Sequence, residues 1–359
     1  MAAQAHKAAG VNHRENMLRA IRFEQPDHIP MSFHVNAACW HHYDQSALQD
    51  LMEAHPFLFP SFKRQETVTP HYAPNQLKGK SYRDPWGCVW ETADDGITGS
   101  VHTHPLADWS ALEGYQPPSP DETDGTYPVN WAETRAWVKQ QKERGEFVSG
   151  GLPHGHTFLR LLDTRGYENA QVDMLTEEPR LGRLLEMLSD FNYRYVMHWL
   201  ELQPDMMSYP EDLGMQVGPM LSPECFERYI KPVYRRIMQP ARAQGCIVHM
   251  HSDGDIRTLA DSLVEGGVDV INLQDLVNGI DWIAARFAGR VCVDLDIDRQ
   301  RVTAQGTPDQ IDALIREEVT KLGSRRGGLM MIYGLYPGVP LANVKALMDA
   351  MERHAGHWA

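Results

Sequence analysis

Short apolar runs separated by longer stretches of helical periodicity set the pattern of the second half of this chain. The runs at 147–151, 206–209, 247–251, 268–273, 291–295 and 328–333 are short, apolar and strand-like, and the text between them repeats at helical spacing. Such alternation predicts a parallel sheet with crossover helices outside it. Ser222-Pro223 and Thr307-Pro308 each put a capping hydroxyl ahead of a proline suited to a first helical turn, marking two helix starts. A run at 29–34 makes a seventh strand, and an eighth is expected in the first half, closing an α/β fold of the (β/α)8 barrel type. Before about residue 147 the alternation breaks down. The stretches 81–90 and 115–120 are rich in aromatics and prolines, which deny the backbone regular pairing, and read as an irregular capping region. One barrel domain over 1–359 is expected, with the first strands and cap in about 1–146 and regular β/α repeats in about 147–359.

Where the apolar runs end, titratable residues begin. In the run from Cys246 to Asp255, residues two apart share a strand face, so His249 and His251 aim one way while Val248 and Met250 aim the other. Two neutral imidazoles so placed make half of a zinc site; alternatively they hydrogen-bond within a barrel mouth with no metal. Active sites of such barrels lie at the carboxyl ends of the strands. There the sequence places His34, His154, His156, Glu211, Asp212, His249, His251, Asp253, Asn272, Gln274, Asp294, Asp296 and Tyr333. Any one of these reads as a solvated loop residue, but their recurrence at strand after strand marks a site. The glycine-rich loop 150–156 allows close backbone approach to a ligand, without the GxxxxGK[ST] pattern of a phosphate cradle. Arg165 and Glu168 read as a structural ion pair, with Arg165 a minor candidate for binding an anion.

Composition narrows the function classes. A chain of 359 residues with 42% apolar content can bury a large core, and a formal charge of -14 with no basic stripe argues against nucleic acid as a partner. No apolar run approaches 18 residues and residues 1–7 lack the apolar core of a signal peptide, so a cytoplasmic protein without a membrane partner is expected. The five cysteines form no CxxC pair and are expected to be reduced and mostly in the core.

Several segments together resemble the uroporphyrinogen decarboxylase superfamily over nearly the whole chain: residues 12–30 and 211–224, the His249-x-His251 pair, Asp298-Arg299-Gln300 and Gly306-Thr307-Pro308. The resemblance implies a (β/α)8 barrel and one of two activities, cofactor-free porphyrinogen decarboxylation or zinc-dependent methyl transfer to or from a corrinoid. The decarboxylases carry an early arginine-bearing segment, whereas residues 31–43 here contain none and offer His34, Trp40, His41, His42 and Tyr43 instead, which suit a smaller substrate. The methyltransferase branch has His-x-Cys where this chain has His249-x-His251, and a later cysteine at about Tyr333. A site of histidines and carboxylates is harder than a thiolate site and suits polarising an oxygen leaving group.

The expected metal ligands are His249, His251, Asp212 and Asp294, the expected catalytic residues Asp212, His251 and Tyr333, and the expected substrate-binding residues His34, His154, His156, Asn272, Gln274 and Trp40. Zinc is the expected cofactor. Cobalamin is expected only on a separate corrinoid protein, because no DxHxxG module is present. The expected function is metal-assisted methyl transfer or demethylation of a small O- or N-methylated substrate, with a homodimer as a further expected partner state. The alternative is a lyase decarboxylating a small organic acid, with histidine and aspartate as acid and base.

Overall fold

The computed structural model describes residues 12–358; residues 1–7, read above for a leader, lie outside the described residues. Seven strands pair in parallel into one sheet: β1 (Met31–Val35), β2 (Ser149–Gly151), β3 (Met206–Asp212), β4 (Ile247–Asp253), β5 (Val270–Gln274), β6 (Cys292–Asp296) and β7 (Leu329–Leu335). Their spatial order is β1-β7-β6-β5-β4-β3-β2. This is the (β/α)8 barrel architecture with seven strands paired. The eighth strand expected in the first half is not part of this sheet among the described residues. Between the edge strands β1 and β2 the chain builds the cap, which includes three short antiparallel strands, Tyr82–Arg83, Val89–Glu91 and Ser100–Thr103. Pro70, Pro74, Pro85, Pro105, Pro117, Pro118 and Pro120 fall in this stretch, and each removes a ladder donor that a central barrel strand needs.

The outward face of the sheet is apolar because helices cover it. Met207, Tyr209, Val248, Met250, Ile271, Leu273, Val293, Leu295, Met331 and Tyr333 are buried there, each such side chain contributing roughly 1.5–3 kcal/mol. Inside, the first layer is also apolar. Met206, Ile247, Val270, Cys292 and Met330, at the starts of their strands, pack on Leu18, Ala20 and Ile21 of α1 (His13–Arg22). The Asn12 side chain caps α1 by accepting from the Glu15 N–H at 2.8 Å, and Phe23 ends it in the left-handed region. The helix thereby seals the amino-terminal end of the barrel.

A buried polar network fastens the cap to α2 (Phe158–Arg165). Asp84 accepts from the Arg160 guanidinium and from the Trp90 indole at 2.9 Å, while Arg160 also reaches Thr126 at 3.0 Å. Arg165 pairs with Asp173 at 2.7 Å, not with the Glu168 expected from sequence, and lies over the Trp109 ring at 4.4 Å. Its buried guanidinium is committed to structure, which removes it as an anion binder.

Candidate active site

Parallel pairing puts cross-strand partners on the same face of the sheet. Ser208 pairs with His249, then Pro210 with His251, Asn272 and Asp294 along one row, then Asp212 with Asp253 and Gln274 with Asp296, and His34 with Gly334. All of these face into the barrel above the apolar layer, so the polar interior is a product of period-two alternation.

The lower polar layer is self-contained. His249 Nδ1 lies 3.0 Å from Ser208 Oγ and its Nε2 lies 3.0 Å from Asp294 Oδ2, so both ring nitrogens are engaged. Asn272 donates to the Asp294 carbonyl at 2.6 Å, and its side-chain oxygen accepts from His251 Nδ1. That bond fixes the His251 tautomer and leaves Nε2 facing the mouth.

The upper layer is where donors converge. His251 Nε2 lies 3.6 Å from Asp212 Oδ1, and His154, from the loop after β2, places its Nε2 3.2 Å from the same oxygen. The three ligand atoms lie within 4.8 Å of one another, as do those of His251, Asp253 and Asp296. Arg299 bridges the remaining carboxylates, 2.8 Å from Asp296 and 3.2 Å from Asp253. The side-by-side placement of Asp212 and Asp253 depends on two glycines: a Cβ on Gly254, whose φ is +80°, would stand 2.1 Å from the Gly214 carbonyl carbon. Gln274 holds the same turn by accepting from the Gly254 N–H at 3.0 Å.

The charges are mutually supported. Burial opposes protonation of His251, but its bond to Asp212, the charge of Asp253 and the bond to Asn272 outweigh it and raise the imidazole to about 9. Burial likewise opposes charging of His154, and Asp212 again wins, raising it. Burial works against ionised Asp212 too, yet the two histidines hold it well below the ordinary carboxylate range. Asp296 is pushed up by burial, with Arg299 opposing.

Behind this layer the next residue on β3 points outward. Glu211 is fully buried and accepts from the N–H groups of Thr157, Phe158 (2.9 Å) and Leu159 (3.2 Å), capping α2 and anchoring the loop that carries His154. Burial raises its carboxyl to about 7 against those hydrogen bonds.

The structure redistributes the sequence assignments. Of the four expected metal ligands, His251 and Asp212 come together with His154, whereas His249 and Asp294 pair with each other in the layer below. Tyr333 is corrected outright: it faces outward, is fully buried against Phe33, and donates to Thr303 at 3.3 Å, with burial raising the phenol to about 12. His156 is also corrected. Its ring is buried between Tyr209 and Tyr234, hydrogen-bonded to Thr157 at 2.6 Å, and burial lowers it to about 3, so it backs the site instead of binding substrate. His34 lies on the inward face, Asn272 and Gln274 position their neighbours, and Trp40 sits on the short helix Cys39–His42 after β1, partly buried against the core. Asp253 and Asp296, placed at the strand ends by the sequence but given no role there, join the cluster because they continue the period-two series of His249 and His251 and of Asp294, and Arg299 is the site residue that strand reading missed.

A ring of titratable groups at the carboxyl ends of a (β/α)8 sheet defines the active-site arrangement of a barrel enzyme. The uroporphyrinogen decarboxylase (URO-D) family model matches residues 98–354, and the chain belongs to that family, whose members are enzymes. It is 27% identical over 197 residues to a uroporphyrinogen decarboxylase of Thermus thermophilus, 54% of each protein. It is 24% identical over 186 residues to the human uroporphyrinogen decarboxylase, 48% of this chain and 47% of that one. The chain thus spans about half the length of the curated relatives it matches. A methyltransferase from Methanosarcina mazei has the same fold, with a TM-score of 0.60 over 95% of this chain and 98% of that one at 16% identity. Among the described residues no helix is long and apolar enough to cross a membrane.

Proposed function

We propose that this protein is a metal-assisted methyltransferase or demethylase that moves a methyl group from a small O- or N-methylated donor to the cobalamin of a separate corrinoid protein. The observation that carries this reading is the convergence of His154, Asp212 and His251 at the mouth. Tetrahedral ligands about 2.0–2.1 Å from zinc stand about 3.3 Å apart, and the His154–Asp212 and His251–Asp212 separations of 3.2 and 3.6 Å bracket that value. Two imidazoles and a carboxylate, three of the four ligands of a tetrahedral ion, are a catalytic zinc donor set. A divalent ion held there supplies Lewis acidity toward the donor's oxygen or nitrogen.

The chain's own residues do the rest. Asn272 orients the His251 ring, and the Asp253 N–H reaches Asp212 Oδ1 at 3.3 Å, fixing two of the three ligands in advance of binding. A reduced corrinoid on the partner would supply the electron pair that takes the methyl carbon as its bond to oxygen or nitrogen breaks, and the leaving heteroatom, held beside His154, Asp212 and His251, would take its proton from water. The mouth disfavours uroporphyrinogen. Arg299 is already shared by Asp253 and Asp296, so a substrate with many carboxylates meets further acids in place of counter-charges. The Methanosarcina mazei likeness over nearly the full chain supports a barrel suited to this task.

A second reading, decarboxylation of a small organic acid, draws on the proton that His251 retains at neutral pH, which makes it an acid able to protonate a carbanion. One experiment separates the two. Zinc-loaded protein, reduced cobalamin and a panel of O- and N-methylated donors should yield methylcobalamin, and His251→Ala should abolish it. Release of carbon dioxide from a carboxylic acid without any corrinoid establishes the second reading instead.

A further inference from the structure

Away from the mouth, the described residues gather one more set of ligand-type side chains from two distant parts of the chain. His41 and His42 sit on the short helix after β1, and Asp94 sits in a turn of the cap. His42 Nε2 is 2.7 Å from Asp94 Oδ2, His41 Nε2 is 3.7 Å from Oδ1, and the two rings are 4.4 Å apart between centroids. These separations again bracket the roughly 3.3 Å expected between tetrahedral zinc ligands. The side chains are 36, 40 and 39% exposed, so an ion has access.

Both sides of the cluster are held in place without an ion. His41 Nδ1 lies 2.8 Å from the Tyr72 hydroxyl; donating into that oxygen leaves the Nε2 lone pair aimed at Asp94, which is how ligating histidines are oriented. The Asp94 turn is fixed from within, because the Thr92 hydroxyl donates to the carbonyls of Asp94 at 3.1 Å and Ile97 at 2.9 Å. It is fixed from outside as well, since the Gly96 N–H reaches the Gln76 carbonyl at 2.9 Å. Gly96 has a φ of +83°, and a Cβ there would stand 2.6 Å from the Ala38 nitrogen, so the cap backbone lies directly on the loop that carries both histidines. An ion pair explains His42 with Asp94. It does not explain a second imidazole, oriented by its own phenol, converging on the same carboxylate.

We propose that His41, His42 and Asp94 bind a divalent cation of the zinc class, separate from the mouth, which clasps the cap to the loop after β1. Two imidazoles and one carboxylate favour zinc over calcium or magnesium, which prefer all-oxygen shells. The clasp would fix the short helix Cys39–His42, which also carries Trp40, against the cap.

The test titrates zinc into the full-length His251→Ala protein, which lacks the mouth cluster, by calorimetry with elemental analysis. One zinc per chain should remain. Adding His42→Ala or, as the milder change, Asp94→Asn should weaken it by about 100-fold, and Tyr72→Phe, which removes only the oxygen orienting His41, by about 10-fold. Zinc should also slow proteolysis of the cap in His251→Ala and not in the Asp94→Asn double variant. Absence of bound zinc in His251→Ala overturns the proposal. So does zinc that survives both Asp94→Asn and Tyr72→Phe unchanged, which identifies adventitious surface histidines. Neither result bears on the mouth, which is probed by His251→Ala against wild type with the clasp intact.

Discussion

Replacing Glu211 by glutamine tests whether a buried carboxyl, one residue from the donor cluster, makes stability depend on pH. Glu211 is fully buried, and its pKa is raised from 4.5 to about 7 by burial, against three backbone hydrogen bonds. A raised folded-state pKa means the native state holds its proton more tightly than the unfolded chain. The associated stability is therefore full below about pH 4.5 and is lost as pH rises through about 7. At 1.36 kcal/mol per pKa unit the loss is about 3 kcal/mol. Glutamine mimics the protonated acid, since it keeps one acceptor oxygen and places a donor where the hydroxyl would be, so its contribution does not change with pH. Urea denaturation of both proteins at several values between pH 4.5 and 8 should show the stability difference moving in favour of Glu211→Gln by about 3 kcal/mol. A constant difference refutes the reasoning. A shift of the opposite sign means that the N–H groups at the start of α2 hold Glu211 ionised despite its burial.

The two strand histidines should separate in a metal assay: His251→Ala loses the mouth zinc, while His249→Ala, committed to Ser208 and Asp294, retains it, as elemental analysis will show. Arg299→Ala should cost about 3 kcal/mol in thermal or chemical denaturation, because it strands Asp296 without its counter-charge, and Arg299→Lys should recover part of that. Tyr333→Phe should cost about 1 kcal/mol for the lost bond to Thr303 and leave kcat and its pH profile unchanged; a large fall in kcat would return Tyr333 to the site.

The strands are legible in the sequence because their outward faces are continuous apolar runs. Their ends read short for a reason that bears on function. The expected strands stop at Tyr209 and His251, where polar residues begin, yet β3 runs on to Asp212 and β4 to Asp253. Inward positions at a barrel mouth are polar while the backbone is still paired, so hydropathy fades before the ladder does. The cap is legible only as irregular text, because its order comes from contacts such as Asp84 with Arg160, which lie 76 residues apart.

For the site, the sequence carries the right parity and the wrong geometry. Period-two alternation correctly sends His249 and His251 to one face, but both ring nitrogens of His249 are engaged by Ser208 and Asp294 in the layer below. His251, one layer higher, meets Asp212 on the adjacent β3 and His154 in the loop after β2 instead, partners that strand alternation alone does not reveal. Tyr333 fails on parity itself, since register pairs Asp294 with Met330 and Asp296 with Ile332, sending Tyr333 outward. The same rule separates neighbours on β3: Asp212 turns into the mouth and Glu211 turns away to cap α2. One strand end thus supplies both a ligand-type carboxylate and the group that fixes the loop bearing its partner His154, so the donor cluster and its support are encoded in two consecutive acids.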